Sequence, residues 1–125
     1  MGKKIKILLV DDTVDFLQTM AFWFKTKGYS VATVSNGTTA LRMIRNSPPD
    51  IAFIDVLMPG LDGVVTVKMI REFNKTLPIV MMSAYEKGEA IRSKTKFYGI
   101  FDFFNKGEDF SKAEALLKAA LGKNT

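Results

Sequence analysis

The chain has 125 residues, of which 47% are apolar and 25% are charged, and its formal net charge is +5. This length accommodates one hydrophobic core, so we expect a single domain over residues 1–125, without space for a helix-turn-helix or an enzymatic output domain. The absence of cysteine and histidine excludes disulfides, thiolate nucleophiles, Ser-His or Cys-His pairs and imidazole metal ligands.

Short apolar runs alternate along the chain with longer amphipathic segments. The predicted strands cover residues 5–10, 30–34, 51–54, 79–82 and 100–104. Four of them are continuous apolar runs, which are typical of strands covered on both faces. The run at residues 30–34 is weaker, and we expect it near an edge of the sheet.

The segments between the strands have helical periodicity. The first predicted helix begins at Val14 after the N-cap Thr13 and ends at Gly28. The others cover residues 38–45, the segment after residue 63, residues 86–98 and residues 110–121. In the first helix one face, which we interpret as core packing, carries Phe16, Met20, Trp23, Phe24 and Lys27. Five alternating strand–helix units predict an α/β fold with a doubly wound parallel sheet and helices on both faces.

Polar side chains follow four of the predicted strands. Asp11 and Asp12 follow the first strand, and Asp55 follows the third. Ser83 and Lys106 follow the fourth and fifth strands. Ligands bind outside the carboxyl ends of the strands in such sheets, so we expect these five residues to meet at one rim. Repulsion among three carboxylates would be costly there unless a lysine or a hard divalent cation neutralised it.

This set of side chains suits phosphoryl chemistry. Carboxylates without histidine favour an oxygen-seeking cation, above all Mg2+. Next to such a cation Asp55 is a poor base, but it can act as a nucleophile toward a phosphoryl group and form an aspartyl phosphate. Lys106 would supply a charge and Ser83 a hydroxyl donor. The structural alternatives are a helix cap for each strand-end aspartate or for Ser83, and a solvated charge for Lys106.

The loop after Asp55 adds a further metal ligand. Pro59 and Gly60 predict a turn that leaves a backbone carbonyl near Leu57 free to face the cation. We interpret Asp62 as the cap of the following helix rather than as a ligand. A magnesium phosphatase on a similar sheet would need a general acid near Asp55, which this loop does not offer.

Together these motifs resemble the receiver domain of two-component response regulators over essentially the whole chain. The shared residues, in the family's order and spacing, are Asp11-Asp12, Asp55 with Met58-Pro59 and Asp62-Gly63, Ser83-Ala84, and Phe103 three residues before Lys106. The resemblance implies a flavodoxin-like (βα)5 sheet with strand order 2-1-3-4-5. It also implies a signalling phosphoacceptor that assists its own phosphorylation and dephosphorylation, rather than an enzyme.

The resemblance assigns a role to each acid. It implies that Asp55 is the phosphoacceptor. It also implies that Asp12, Asp55 and the Leu57 carbonyl are direct Mg2+ ligands and that Asp11 acts mainly through water.

The resemblance also implies a switch. By this resemblance we expect Ser83 to be the switch hydroxyl and Lys106 to bind a phosphoryl oxygen. We expect Phe103 to be the switch aromatic, which would turn inward when Ser83 moves to the phosphate.

Two departures from the family pattern carry predictions. Gly107 follows Lys106 where the family usually has proline, often after a cis bond. Because a non-proline cis bond costs ~2.5–4 kcal/mol, we expect a trans Lys106–Gly107 peptide and an altered loop. Leu57 and Tyr85 occupy the family's rate-tuning positions, and both are bulky and not acidic. We expect them to hinder attacking water and to make the phosphoryl group long-lived.

The resemblance implies protein partners at two surfaces. A sensor histidine kinase or a histidine phosphotransfer protein would dock on the first helix, where we predict exposed positions for Leu17 and Ala21. The output would pass to a downstream protein partner or a fused output domain, since the chain is either a stand-alone receiver or part of a longer protein. The fourth helix, fifth strand and fifth helix form the family's usual output face. We expect an acidic partner there because this face carries Lys87, Arg92, Lys94, Lys96 and Lys112.

Other functional classes are less well supported. A receiver-like module that binds partners without phosphorylation is the alternative, but degenerate receivers usually lack one of the acids. The basic charge has no nucleic-acid recognition motif beside it, so we expect no direct nucleic-acid binding. No apolar run approaches the ~18 residues of a membrane helix and no signal peptide is evident, so we expect a cytoplasmic protein without membrane association.

Overall fold

Five strands alternate with five helices in the computed structural model, which describes residues 3–58, 60–84 and 89–122, and of residues 89–91 and 94 only the backbone. The strands are β1 (Lys6–Val10), β2 (Ser30–Val34), β3 (Ile51–Asp55), β4 (Ile79–Ser83) and β5 (Asp102–Asn105). The helices are α1 (Val14–Thr26), α2 (Gly37–Asn46), α3 (Gly63–Phe73), α4 (Glu89–Phe97) and α5 (Phe110–Ala120). Within those ranges, no helix combines the length and apolar character that crossing a membrane requires.

All five strands are parallel and form one sheet in the order β2-β1-β3-β4-β5. This confirms the predicted doubly wound sheet with strand order 2-1-3-4-5. The order reverses between β1 and β3, and Val10 of β1 pairs with Ile54 of β3. The residues that follow this pair, Asp11 and Asp55, therefore flank the crevice in which such sheets bind ligands.

Successive strand residues point to opposite faces of the sheet, so the apolar strands present apolar side chains on both faces. Helices cover both of these faces. Beneath α1 and α5 the core contains Phe24, Phe53 and Phe104. Beneath α2 and α3 it contains Ile44, Ile54 and Ile70. All six side chains are at most 1% exposed. Burying one such side chain stabilises a fold by about 1.5–3 kcal/mol, so this core can hold a polar, charged rim in place.

The fifth strand differs from the prediction. It begins at Asp102 rather than at residue 100, because Gly99 takes a φ of 71° in the turn after α4. β5 forms an edge of the sheet, and of its residues only Phe104 is buried. The expectation that this strand is covered on both faces was wrong, since Phe101 is 45% exposed and Phe103 is half-buried. The expectation that residues 30–34 lie near an edge is confirmed by β2.

The exposed face of α1 also differs from the prediction. Leu17 and Ala21 are each only 5% exposed and belong to the core beneath α1. The buried face is wider than the predicted stripe because a helix lying on a sheet covers an arc of more than 100°. The exposed apolar side chains of α1 are instead Val14, at 54%, and Phe22, at 70%.

One arginine joins the end of α3 to the turn between α4 and β5. The Nε atom of Arg71 donates to the Tyr98 carbonyl at 2.7 Å, and its two Nη atoms donate to the carbonyls of Asn74 at 3.0 Å, Leu77 at 2.8 Å and Gly99 at 3.2 Å. Burial lowers the pKa of the guanidinium. Four carbonyl acceptors offset this desolvation and fix the C-terminal end of α4 to α3.

Candidate functional site

The structure brings the three predicted acids together at the carboxyl edge of the sheet. Asp11 and Asp12 follow β1, and Asp55 is the last residue of β3. One carboxylate oxygen from each residue lies within 4.8 Å of the others. Asp11 is fully buried, Asp55 is 5% exposed and Asp12 is exposed. The cluster is therefore shielded from solvent at Asp11 and Asp55 and open to solvent at Asp12.

Backbone contacts hold Asp11 beneath this cluster. Its N–H donates to the Val34 carbonyl at 3.2 Å, and its Oδ1 accepts from the Thr13 N–H at 2.9 Å. Thr13 is the N-cap residue of α1, as predicted, but its own side chain makes no cap hydrogen bond. The Asp11 carboxylate is thus oriented by the chain that leads into α1.

Lys106 is the counter-ion of the acids. Its Nζ lies 2.6 Å from Asp11 Oδ2 and 3.8 Å from Asp55 Oδ2, and its side chain is 14% exposed. Its backbone N–H donates to the Ser83 carbonyl at 2.8 Å, which joins the ends of β4 and β5. This ion pair with the Lys106 ammonium neutralises part of the charge on the buried Asp11 Oδ2, which accepts no other hydrogen bond in the described part of the chain.

The loop after Lys106 is closed by Asn105. The Gly107 N–H donates to Asn105 Oδ1 at 2.8 Å, and the Glu108 N–H donates to the Asn105 carbonyl at 2.9 Å. The Lys106–Gly107 peptide is trans, which confirms the prediction. Side-chain hydrogen bonding from Asn105 therefore shapes the turn at the position where the family usually has proline.

Burial raises the pKa of the Asp55 carboxyl to about 6. Desolvation is the largest cause, the charge of Asp11 is the next, and Asp12 also raises the pKa. Lys106 and a backbone hydrogen bond from Leu57 act in the opposite direction. The cluster holds three carboxylates beside the Lys106 ammonium, and an all-oxygen site with this excess of negative charge fits a hard cation such as Mg2+.

A cleft of about 190 Å³ opens above the acids. Its walls include Asp12, Asp55, Leu57, Ser83 and Lys106. Leu57 is 58% exposed, whereas Ser83 is only 6% exposed. A water molecule occupies about 30 Å³ in the liquid, so the cleft is large enough for a hydrated cation or a phosphoryl group.

The loop between β3 and α3 brings α3 close to Asp55. The Gly63 N–H donates to the Val56 carbonyl at 3.0 Å, and a Cβ on Gly63 would overlap the Asp55 carbonyl oxygen. Asp62 caps α3 by accepting from the Val65 N–H at 2.9 Å, which confirms its interpretation as a cap. Only glycine allows this close approach of the helix start to the strand end.

Phe103 lies outside the cleft. Its half-buried ring belongs to the core on the α2 and α3 side of the sheet, and the Arg92 guanidinium carbon lies 4.7 Å from the ring centroid. Its predicted switch role remains a prediction. The predictions that lie outside the described residues concern Pro59, Tyr85, Lys87, the start of the fourth helix at Glu86, and the side chain of Lys94.

Phe16 contacts the site, although the sequence predicted core packing alone. Lys106 Nζ lies 4.7 Å from the centroid of its half-buried ring. The ring also meets Phe110 of α5 edge-on at a centroid distance of 5.8 Å. The sequence feature that could have indicated this contact is the position of Phe16, which lies five residues after Asp11 and in the first turn of the helix that leaves the acid cluster.

Known proteins are similar to this chain in sequence and in fold. Residues 7–119 match the family model of the response regulator receiver domain. The transcriptional regulatory protein ZraR of Klebsiella oxytoca is 32% identical over 120 residues, which are 96% of this chain and 27% of that protein. The chain thus spans about a quarter of the length of the first curated relatives that it matches.

Two solved structures illustrate the structural match. A putative response regulator from Chloroflexus aurantiacus has a TM-score of 0.87 and 28% identity, and the alignment covers 96% of this chain and 99% of that one. The response regulator protein TrrA from Thermotoga maritima, solved in complex with Mg(2+)-BeF, has a TM-score of 0.83 and 26% identity, with 94% and 99% coverage.

The family match begins at the second residue of β1, covers β2 to β5 and reaches into α5, and it includes the acid cluster at the edge of the sheet. The chain belongs to the response regulator receiver domain family of two-component signalling.

Proposed function

We propose that this chain is the phosphoacceptor receiver of a two-component phosphorelay and that Asp55 is the accepting residue. A sensor histidine kinase or a histidine phosphotransfer protein supplies the phosphoryl group. One observation carries the proposal: the Asp55 carboxylate lines a small open cleft together with Ser83 and Lys106, beside two further acids. A strand-end aspartate that only capped a helix would not need this surrounding charge.

The donor atoms of the cleft fit Mg2+ as the cofactor. Asp12, Asp55 and the Leu57 carbonyl would hold the cation directly, and Asp11 would hold it through water. Two observations support this set: the close approach of the three acids, and the fact that the atoms they offer are all oxygens. TrrA, a similar receiver, was solved with Mg(2+)-BeF. When bound, Mg2+ would neutralise charge on the phosphoryl oxygens.

The transfer itself is a displacement at phosphorus. A carboxylate oxygen of Asp55 forms a bond to phosphorus while the bond between phosphorus and the donor's imidazole nitrogen breaks. The electron pair of that bond stays on the imidazole, which takes up a proton from solvent. Lys106 Nζ lies 3.8 Å from Asp55 Oδ2 and would bind one phosphoryl oxygen, and the Ser83 hydroxyl would donate to another.

The donor would dock on α1 beside the cleft. Thr13, the residue before this helix, lines the cleft, and Val14 follows it directly. Val14 and Phe22 lie eight residues apart on the solvent face of α1 and are its exposed apolar side chains. They replace Leu17 and Ala21 as the proposed contacts for a donor helix, because these two residues are buried.

We also propose that phosphorylation is transmitted to the face formed by α4, β5 and α5. Ser83 would move toward the phosphoryl group and Phe103 would turn inward in response. Exposed aromatic rings adjoin this region, since Phe97 is 82% exposed and Phe101 is 45% exposed. This face carries positive charge at Arg92, Lys96 and Lys112, which favours an acidic surface on a downstream protein or a fused output domain.

Phosphorylation by acetyl phosphate tests the proposal. Intact-mass spectrometry would follow incorporation with and without Mg2+ in the wild type, in Asp55→Asn and in Asp62→Asn, a neighbouring variant whose asparagine can still cap α3. We expect Mg2+-dependent labelling that is lost only in Asp55→Asn. If neither acetyl phosphate nor a phosphorylated histidine donor labels the wild type, a phosphorylation-independent interaction module becomes the better interpretation.

A further inference from the structure

We propose that Phe16 is a positioning residue whose ring holds the Lys106 ammonium at the acid cluster. This inference rests on the proposed function, in which Lys106 binds a phosphoryl oxygen. The inference is argued from a different observation than the proposed function, because it concerns the contact between an aromatic ring and an ammonium rather than the acids themselves.

Three groups from three parts of the chain surround Lys106 Nζ. Asp11 Oδ2 lies at 2.6 Å, Asp55 Oδ2 at 3.8 Å, and the centroid of the Phe16 ring at 4.7 Å. A cation within about 6 Å of a ring centroid is attracted by the negative face of the ring, more strongly where water is excluded. The Lys106 side chain is only 14% exposed, so this attraction is weakly screened.

The Phe16 ring is itself held in place. It meets Phe110 edge-on at 5.8 Å, and the Phe110 ring also lies 6.0 Å from Trp23. Phe110 is the first residue of α5 and follows Lys106 by four residues. The same segment therefore carries the lysine and braces the ring against which the lysine rests.

The loop that carries Lys106 has open space beside Gly107. Among the described residues, a Cβ at that position would meet Asn105 Oδ1 alone, at 3.4 Å. The lysine stem is flexible, and its strongest contact holds the ammonium closer to Asp11 than to Asp55. A neutral ring has a further advantage: a cation bound by the acids weakens their attraction for Lys106 but leaves the ring contact unchanged.

The test compares phosphorylation rates with acetyl phosphate and Mg2+. We expect Phe16→Leu to slow the reaction about five- to tenfold, the range for loss of one partly desolvated cation–π contact, and Phe16→Tyr to restore most of the rate. Phe73→Leu is the matched control, because it removes another half-buried ring that lies under a cation, Arg45 at 4.4 Å, but belongs to α3 and does not line the cleft. It should change the rate less than twofold.

Two further measurements separate positioning from packing. In a Lys106→Met background, Phe16→Leu should cause no additional slowing. In NMR spectra, the side-chain methylene protons next to Lys106 Nζ should be shifted upfield by the ring, and Phe16→Leu should remove that shift. An unchanged rate in Phe16→Leu, failure of Phe16→Tyr to restore it, or the same slowing without Lys106 would overturn the proposal.

The NMR measurement also distinguishes this inference from the proposed function. If the wild type accepts no phosphoryl group from any donor, the function is wrong, and the ring-dependent shift of the Lys106 protons alone decides whether Phe16 positions the ammonium. An absent shift would refute the contact regardless of phosphorylation.

Discussion

Replacing Asp55 with asparagine is expected to stabilise the folded protein at neutral pH when no Mg2+ is present. The pKa of Asp55 rises from its ordinary value of 3.8 to about 6, mainly because the carboxyl is buried. Each pKa unit corresponds to about 1.4 kcal/mol, so the ionised carboxylate costs about 3 kcal/mol of folding free energy at pH 7.5. Asparagine has nearly the same shape without the charge and should recover most of this free energy.

The gain should depend on pH in a defined direction. Because the folded-state pKa is raised, the contribution of the protonated carboxyl to stability is fully present below pH 3.8 and is lost as the pH rises through about 6. The advantage of Asp55→Asn over the wild type should therefore shrink from about 3 kcal/mol at pH 7.5 to roughly half of that at pH 5. Urea denaturation in EDTA, followed by circular dichroism, measures this difference.

Mg2+ should reverse the ranking of the two proteins. At a thousand times its Kd, a ligand that binds only the folded state adds about 4.1 kcal/mol, which exceeds the advantage of about 3 kcal/mol, and the variant lacks one of the proposed ligands. Asp50→Asn is the control, because the exposed Asp50 carboxylate accepts the Lys6 N–H at 2.7 Å outside the cluster. No gain at pH 7.5, or a gain that does not shrink toward pH 5, would refute the electrostatic argument.

Three further predictions concern other parts of the site and its support. Gly63→Ala should lower the free energy of unfolding by about 2–4 kcal/mol in urea denaturation, because the added Cβ would overlap backbone atoms. Gly99→Ala should lower it by about 1 kcal/mol, because the space around Gly99 is open and the cost arises from its φ of 71°. Equal costs for the two variants would contradict the close-approach argument. Arg71→Met should destabilise the fold by about 2–4 kcal/mol and speed hydrogen exchange in the turn after α4, and unchanged exchange there would exclude the proposed anchoring. Leu57→Asn should shorten the phosphoryl lifetime several-fold in intact-mass measurements by admitting water; an unchanged lifetime would remove Leu57 as the barrier.

The centre of the sheet and the acid cluster could be predicted because two simple patterns coincide there. β3 is buried along its whole length and β1 beyond its first residue, so each appears in the sequence as an apolar run that ends in aspartate. Parallel strands present their carboxyl ends at one edge, so these acids must meet once the strands are adjacent. The resemblance to receivers then supplied the strand order.

Burial at the margins could not be predicted in the same way. The apolar run at residues 100–104 does not reveal whether the strand lies inside the sheet or at its edge. In the structure β5 has a neighbour on one side only, and Phe101, the residue before it, is exposed. The buried arc of α1 depends on how the helix is rotated on the sheet, which placed Leu17 and Ala21 in the core. The contact between Phe16 and Lys106 joins residues 90 positions apart and depends on both helix rotation and loop shape.

The anchoring of α4 by Arg71 has a mechanical consequence for signalling. Arg71 fixes the carbonyls of Tyr98 and Gly99, just beyond one end of the nine-residue helix Glu89–Phe97. Because the C-terminal end of α4 is held, we expect movement near Ser83 to rotate the helix about that end rather than to translate it along the sheet. At 1.5 Å per residue the helix is about 13 Å long, so a rotation of about 10° would displace its N-terminal end by about 2 Å. Arg71 would thus convert a small shift near Ser83 into a rotation of α4 on the output face.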